Sequence, residues 1–109
     1  MPKIEIKPIS VNEAFRGKRF KTPAYSKFEK SCLWLLPKME TPKGKLELIL
    51  HFGFSSKGSD IDNGIKQTTD VLSKKYGFND NMIYSLIVKK EIVPKGKEFF
   101  SFEILPYNE

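Results

Sequence analysis

Residues 46–72 read "LELILHFGFSSKGSDIDNGIKQTTDVL", and the period of the apolar residues changes within them. Leu46, Leu48, Leu50 and Phe52 alternate with Glu47, Ile49 and His51, which is the pattern of a strand with one buried face. Such a run belongs at the centre of a sheet. The loop "GFSSKGS" follows, and after it the spacing turns helical. Ser59 or Asp60 is expected to cap this helix, with Ile61, Ile65, Thr68 or Thr69, and Leu72 facing inward and Gly77 as its stop.

The flanks extend the same reading. Lys3 to Lys7 alternates charged and apolar residues, with Ile4 and Ile6 on one face of a strand. Residues 8–22 show no clean period. They hold Arg16, Lys18, Arg19 and Lys21 with Phe15 and Phe20 interleaved, and are read as an extended basic arm. Thr22-Pro23 starts a helix, Thr at the cap and Pro at the first position, which runs to about Leu36 before Pro37. Tyr25, Phe28, Cys32 and Leu35 or Leu36 share a face, and Trp34 and the phenylalanines are assigned to the core. Residues 82–93 and 98–105 read as two strands joined by the turn Pro94-Lys95-Gly96. The predicted order is β-α-β-α-β-β, a two-layer α/β domain with a mixed β-sheet and two helices, one domain over residues 1–109.

Composition narrows the class. A chain of 109 residues with 39% apolar content is long enough for a modest core. No apolar run approaches the roughly 18 residues that span a membrane. The opening MPKIEIK lacks a signal peptide's apolar region, so a cytoplasmic location is expected. One Cys and one His cannot build a Cys/His zinc cluster within one chain. The net charge of +6 is uneven: residues 1–59 carry 12 Lys/Arg against 5 Asp/Glu, and residues 60–109 carry 7 against 8. A basic half suits an anionic partner, with nucleic acid the commonest. Acids clustered in such a protein call for a reason, since carboxylates repel phosphates unless a cation lies between.

Asp60 and Asp62 admit two readings. Ser59 with Asp62 forms a capping box with Asp in place of Glu, and acids in a first turn complement the helix dipole. Alternatively, with the chain extended into the cap, Asp60 and Asp62 point one way, and Lys66 stands four residues beyond Asp62 on one helical face. Two carboxylates and an ammonium on one side suit Mg²⁺ in an all-oxygen shell, with the lysine steadying developing charge. Asp80 is a third carboxylate candidate, and Asn63 a residue to orient a ligand. Lys66 could equally make a plain i,i+4 pair with Asp62. His51, mid-strand, is assigned to structure.

The run "DIDNGIKQTTDVL" followed by "GFND" resembles the signature of the RusA family of Holliday junction resolvases: Asp-x-Asp-Asn, a lysine four after the second Asp, and a third Asp after the helix. "SVNEAFRGKRFKTPAYSKFE" also resembles that family's Ser-x-Asn segment, basic stretch and following helix. Together the two segments cover about half of the chain. The resemblance implies a RusA-like fold and a small homodimeric endonuclease that nicks branched DNA with Mg²⁺, with Mn²⁺ as a substitute. It implies a bacterial or phage origin close to the nucleoid. Asp60, Asp62 and Asp80 match the metal-binding aspartates and Lys66 the essential lysine, while Asn12, Arg16, Lys18, Arg19 and Lys21 form the DNA-binding set. The chain has Asn79-Asp80 where members often have Asp-Asp, which leaves Asp80 alone as third acid. The competing readings are a non-catalytic basic DNA-binding accessory protein of recombination and a domain that binds an acidic protein.

Length adds one expectation. A helix over residues 62–75 has 14 residues and is about 20 Å long. Asp80 follows five residues later and can return by roughly 16 Å at most. Composite sites are therefore expected, with Asp60, Asp62 and Lys66 from one chain and Asp80 from the other chain of a two-fold dimer.

Overall fold

The computed structural model describes residues 1–16 and 20–108, with Arg16 and Phe20 by backbone alone. The chain is mixed α/β. Its elements are β1 (Lys3–Ile4), α1 (Val11–Ala14), β2 (Phe15–Arg16), β3 (Phe20–Lys21), α2 (Pro23–Leu35), β4 (Leu46–Phe54), α3 (Ile65–Tyr76), a 3-10 turn (Asp80–Met82), β5 (Ile83–Ile92) and β6 (Phe99–Pro106). A four-stranded mixed sheet has the order β1-β6-β4-β5, and β2 and β3 form a separate small hairpin.

β4 lies inside the sheet, as its alternation predicts. It pairs parallel with β5 and antiparallel with β6. Leu46, Leu48, Leu50 and Phe52 are buried on one face, together with Phe100, Phe102 and Ile104 of β6. Tyr25, Phe28, Cys32 and Leu36 of the α2 segment and Val71 and Leu72 of α3 complete this cluster. Thr22 caps α2 through its side chain, which accepts from the Tyr25 amide, and Pro23 takes the first turn. Cys32 is buried as expected, and burial pushes its thiol up to about 12, with the Glu29 charge adding to it.

Four sequence expectations are corrected. First, the described residues form three helices rather than two, because Val11–Ala14 makes α1, and the two strands joined by the Pro94 turn flank the more apolar β4. β5, with Lys89, Lys90 and Glu91, takes the edge, where charged side chains stay solvated. Second, the described residues of 8–22 are not an extended arm. Ser10 and Glu13 form a capping box that opens α1, and the hairpin pairs Phe15 with Lys21. Third, Trp34 is 88% exposed on α2 rather than in the core. Fourth, α3 begins at Ile65, not at Ser59–Asp60, and its buried residues are Gln67, Thr68, Val71 and Leu72, while Ile61 is exposed.

Gly53 of β4 lies under the ring of Phe99, and a Cβ there would overlap Phe99 Cδ1 and Cε1. Phe99 is itself buried and carries Lys3 over its ring, 4.3 Å from Nζ to the centroid. Gly53→Ala is expected to cost about 1–3 kcal/mol, the range for overpacking. Urea denaturation checks this, and an unchanged midpoint would refute the contact.

Candidate active site

The turn before α3 is built by backbone contacts. The Asn63 amide donates to Asp60 O at 3.1 Å, and the Ile65 amide to Asp62 O at 3.3 Å. Gly64 is the N-cap residue and makes no side-chain cap. Gly64 is buried, and a Cβ there would lie 3.3 Å from Phe52 Cε1, so the backbone itself sits on the core ring. This close approach sets where the helix begins, and it leaves residues 60–63 as a turn in front of it.

The capping reading of the two aspartates therefore fails. Neither caps α3, both are exposed, and neither side chain has a hydrogen-bond or ion-pair partner among the described residues. Asp62 lies outside the helix, so it forms no i,i+4 pair with Lys66. Lys66 stands in the first turn of α3 with its Nζ over the Phe15 ring, 5.4 Å from the centroid.

Phe15 ties the hairpin to the helices. Its ring meets Tyr25 edge-on at 5.3 Å, and Lys21 Nζ lies 5.0 Å from the Tyr25 centroid. Lys21 also faces Glu29 at 3.6 Å, so it is engaged within the chain. Asn12 is exposed on α1. Lys18 and Arg19 lie outside the described residues, and Arg16 is described by backbone alone.

Asp80 stands at the start of β5 in the 3-10 turn and is exposed. An open cleft between α3 and β5 is lined by Ile65, Lys66, Thr69, Asp70, Asp80, Ile83 and Leu86. Asp80 thus meets Lys66 in one cleft of one chain, and the second carboxylate there is Asp70 rather than Asp60 or Asp62. A larger concavity of about 600 Å³ at the other end of α3, lined by residues such as Glu40, Lys43 and Tyr76, contains none of these groups.

Asp70 is the residue that sequence reasoning missed. Its signal was visible as an acid four residues after Lys66 on α3. The Tyr25 hydroxyl, on a fully buried side chain, donates to Asp70 Oδ2 at 3.3 Å. Burial pushes the Asp70 carboxyl above its usual range and the Asp80 charge adds to this, while the Tyr25 hydrogen bond and the charges of Lys66 and Lys21 oppose it. Gln67 was missed as well. It is fully buried, and its Nε2 donates to Ile9 O at 3.2 Å and to Asn63 O at 3.1 Å, joining the N-terminal segment to the aspartate turn.

The donor set suits a hard cation. Asp60 and Asp62 offer two solvated, unpaired carboxylates, and Mg²⁺ is commonly held by one or two carboxylates with the rest of its shell water. Among the described residues, no three His, Cys, Asp or Glu side chains are grouped to hold one ion within the chain. No helix of the described residues is long and apolar enough to cross a membrane. Neither a protein-family model nor a curated protein matches this chain.

Two outcomes follow. Asp60→Asn and Asp62→Asn should each leave stability within about 0.5 kcal/mol, as surface changes do. Ser10→Ala should cost about 1 kcal/mol through its lost cap. Denaturant titration of the three variants tests the assignment, and a loss at Asp60 or Asp62 equal to that at Ser10 would restore the capping account.

Asp70 carries the second. A raised folded-state pKa means that the folded chain binds more protons than the unfolded one between the two values. Stability contributed by Asp70 is therefore present below the ordinary carboxylate range and falls as pH rises through the folded value. Relative to the parent, Asp70→Asn should gain stability with rising pH across that window and level off above it. Thermal melts from about pH 4 to 7 decide the matter, and a pH-independent gap would refute it.

Proposed function

We propose that this chain is a Mg²⁺-dependent, structure-selective endonuclease that resolves four-way DNA junctions as a homodimer. One observation carries the reading: Asp60 and Asp62 lie exposed in a turn ahead of α3 with no cap or ion pair among the described residues to occupy them, and Asp62 is four residues before Lys66. In a chain of net charge +6, such acids cost affinity for phosphate unless a cation bridges the two. The resemblance of "DIDNGIKQTTDVL" and "GFND" to the RusA signature supports the same assignment.

Asp60 and Asp62 would hold the metal. A bound Mg²⁺ supplies charge neutralisation at the scissile phosphate and a hydroxide source near neutral pH. The Lys66 ammonium stabilises charge that develops on the phosphate oxygens. The hairpin that carries Arg16 and Lys21 is docked against Tyr25, beside Lys66, so DNA held by the basic N-terminal half lies next to these groups. This chain's own Asp80 shares a cleft with Lys66 and Asp70 but not with Asp60 or Asp62, so Asp80 of the partner subunit would complete the carboxylate set at the aspartate turn, and two-fold symmetry would supply two sites for two symmetric nicks.

Cleavage of a mobile four-way junction beside linear duplex, with Mg²⁺ and with EDTA, tests the function. Nicks should appear in the junction alone and only with the metal. Asp62→Asn should abolish nicking while a gel shift in EDTA shows binding equal to or tighter than the parent, because a repulsive carboxylate is gone. Junction binding without any cleavage would replace the enzyme by an accessory DNA-binding protein.

Subunit mixing tests the shared site. A heterodimer of Asp60→Asn with Asp80→Asn collects both lesions in one site and leaves the other intact, so nicking should return. With subunit exchange verified independently, a dead mixture would refute composite sites.

A further inference from the structure

Trp34 is the most exposed large apolar side chain among the described residues, at 88%. It lies four residues after Lys30 and seven after Lys27, so the three share one face of α2. The opposite face carries the buried Tyr25, Phe28 and Cys32. Lys38 follows just beyond the helix end and is exposed too. Lys27, Lys30 and Lys38 have no ion-pair partner among the described residues. The single acid of α2, Glu29, is engaged elsewhere: Lys74 Nζ lies 2.8 Å from one of its oxygens and Lys21 Nζ 3.6 Å from the other. Those contacts hold the Glu29 carboxyl below its usual range, through the Lys74 hydrogen bond first. The stripe Lys27–Lys30–Trp34 is thus cationic, with one flat indole beside its charges and no acid of α2 on it.

From this we infer that the outer face of α2 is a second DNA contact, which binds unpaired bases by stacking on Trp34 while the lysines take the flanking phosphates. The inference rests on the reading that DNA is the ligand. The occupant is set by two complementarities. The unneutralised lysines select a polyanion. The indole adds a π-face, and indole–base stacking is the usual device of single-strand binders, with cationic side chains tracking the backbone. A base within intact duplex already has both faces covered by its neighbours, so stacking on Trp34 there would first cost the unstacking of a step. The ligand is therefore a single strand, or the unstacked bases at a branch point. This face lies on the helix layer, where α2 and α3 are joined by the Lys74–Glu29 pair and by a 3.1 Å hydrogen bond from Lys75 Nζ to Leu33 O. It can therefore act together with the site ahead of α3 on one branched molecule.

The chain has one tryptophan, so its fluorescence reports on this face alone. The parent is titrated with oligo(dT), a four-way junction and a fully paired duplex, and labelled-DNA anisotropy gives affinity in parallel. Oligo(dT) and the junction should quench Trp34, and the duplex should leave it unchanged. Trp34→Ala should lose about tenfold or more in affinity for oligo(dT), consistent with one base–aromatic stack. Trp34→Phe should recover most of that, and duplex binding should stay at the parent value in both. Lys27→Ala and Lys30→Ala should each lower the salt slope for oligo(dT) by about 0.7. Circular dichroism verifies the fold, which an exposed side chain does not support.

Three outcomes overturn the inference and are distinguishable. If all three DNAs bind, yet emission is unchanged and Trp34→Ala binds oligo(dT) as the parent does, the α2 face is not a DNA contact and the nuclease reading stands. If no DNA binds in any arm, both readings fall. If emission changes with protein concentration alone and Trp34→Ala turns dimer into monomer in sedimentation, the face belongs to a second copy of the chain.

Discussion

β4 is hydrogen-bonded on both sides, and the placement of every functional candidate follows from how it is paired. Its partner β5 runs parallel to it, so the chain must cross from the end of β4 to the start of β5. That crossover is the aspartate turn and α3. Asp60 and Asp62 therefore leave the carboxyl end of β4, while Asp80 arrives at the amino end of β5. In a parallel pair these ends lie at opposite ends of the strands. α3, with 12 residues and a length of about 18 Å, spans the interval. The same constraint separates the acids that the sequence motif brings together and places Asp80 in a cleft with Lys66 and Asp70.

The second organising contact is the seat of the N-terminal segment. In its described residues this segment is anchored rather than free. The capping box of Ser10 and Glu13 turns the chain, and Phe15 packs edge-on against Tyr25 and under Lys66. Gln67 pulls Ile9 and Asn63 together from within the core. The N-terminal segment is thereby held beside the aspartate turn by packing and buried hydrogen bonds that salt does not screen. Tyr25 has a double part. Its ring is the anvil for Phe15 and Lys21, and its hydroxyl holds Asp70, whose partly buried carboxyl is pushed above its usual range by burial.

Much of the architecture was legible in local pattern. The alternation from Leu46 to Phe52, the Thr22-Pro23 start of α2 and the Gly77 stop of α3 are short-range signals, and each element formed where its signal lay. Capping chemistry was legible and was credited to the wrong place. Ser10-x-x-Glu13 is a complete capping box and forms one, whereas Ser59-x-x-Asp62 has the right residue types but caps nothing, because Gly64 must first reach Phe52. Trp34 was assigned to the core on residue type, though its spacing from Lys27 and Lys30 already put it on the outer face of α2.

By itself the sequence determined the class of fold, the central strand, the helix that follows it, and the residues to inspect: Asp60, Asp62, Lys66 and Asp80. These depend on period and spacing along a few turns, and local geometry suffices for them. Tertiary structure alone decided that β4 lies between β5 and β6, since strand order is a competition for burial that no neighbouring residue records. It also decided that the two aspartates stay free of the helix, that Lys66 faces Phe15, and that Asp70 joins Tyr25 across 45 residues. Each of those depends on which surfaces the packed sheet brings within a few ångströms, and spacing along the chain carries no measure of that distance.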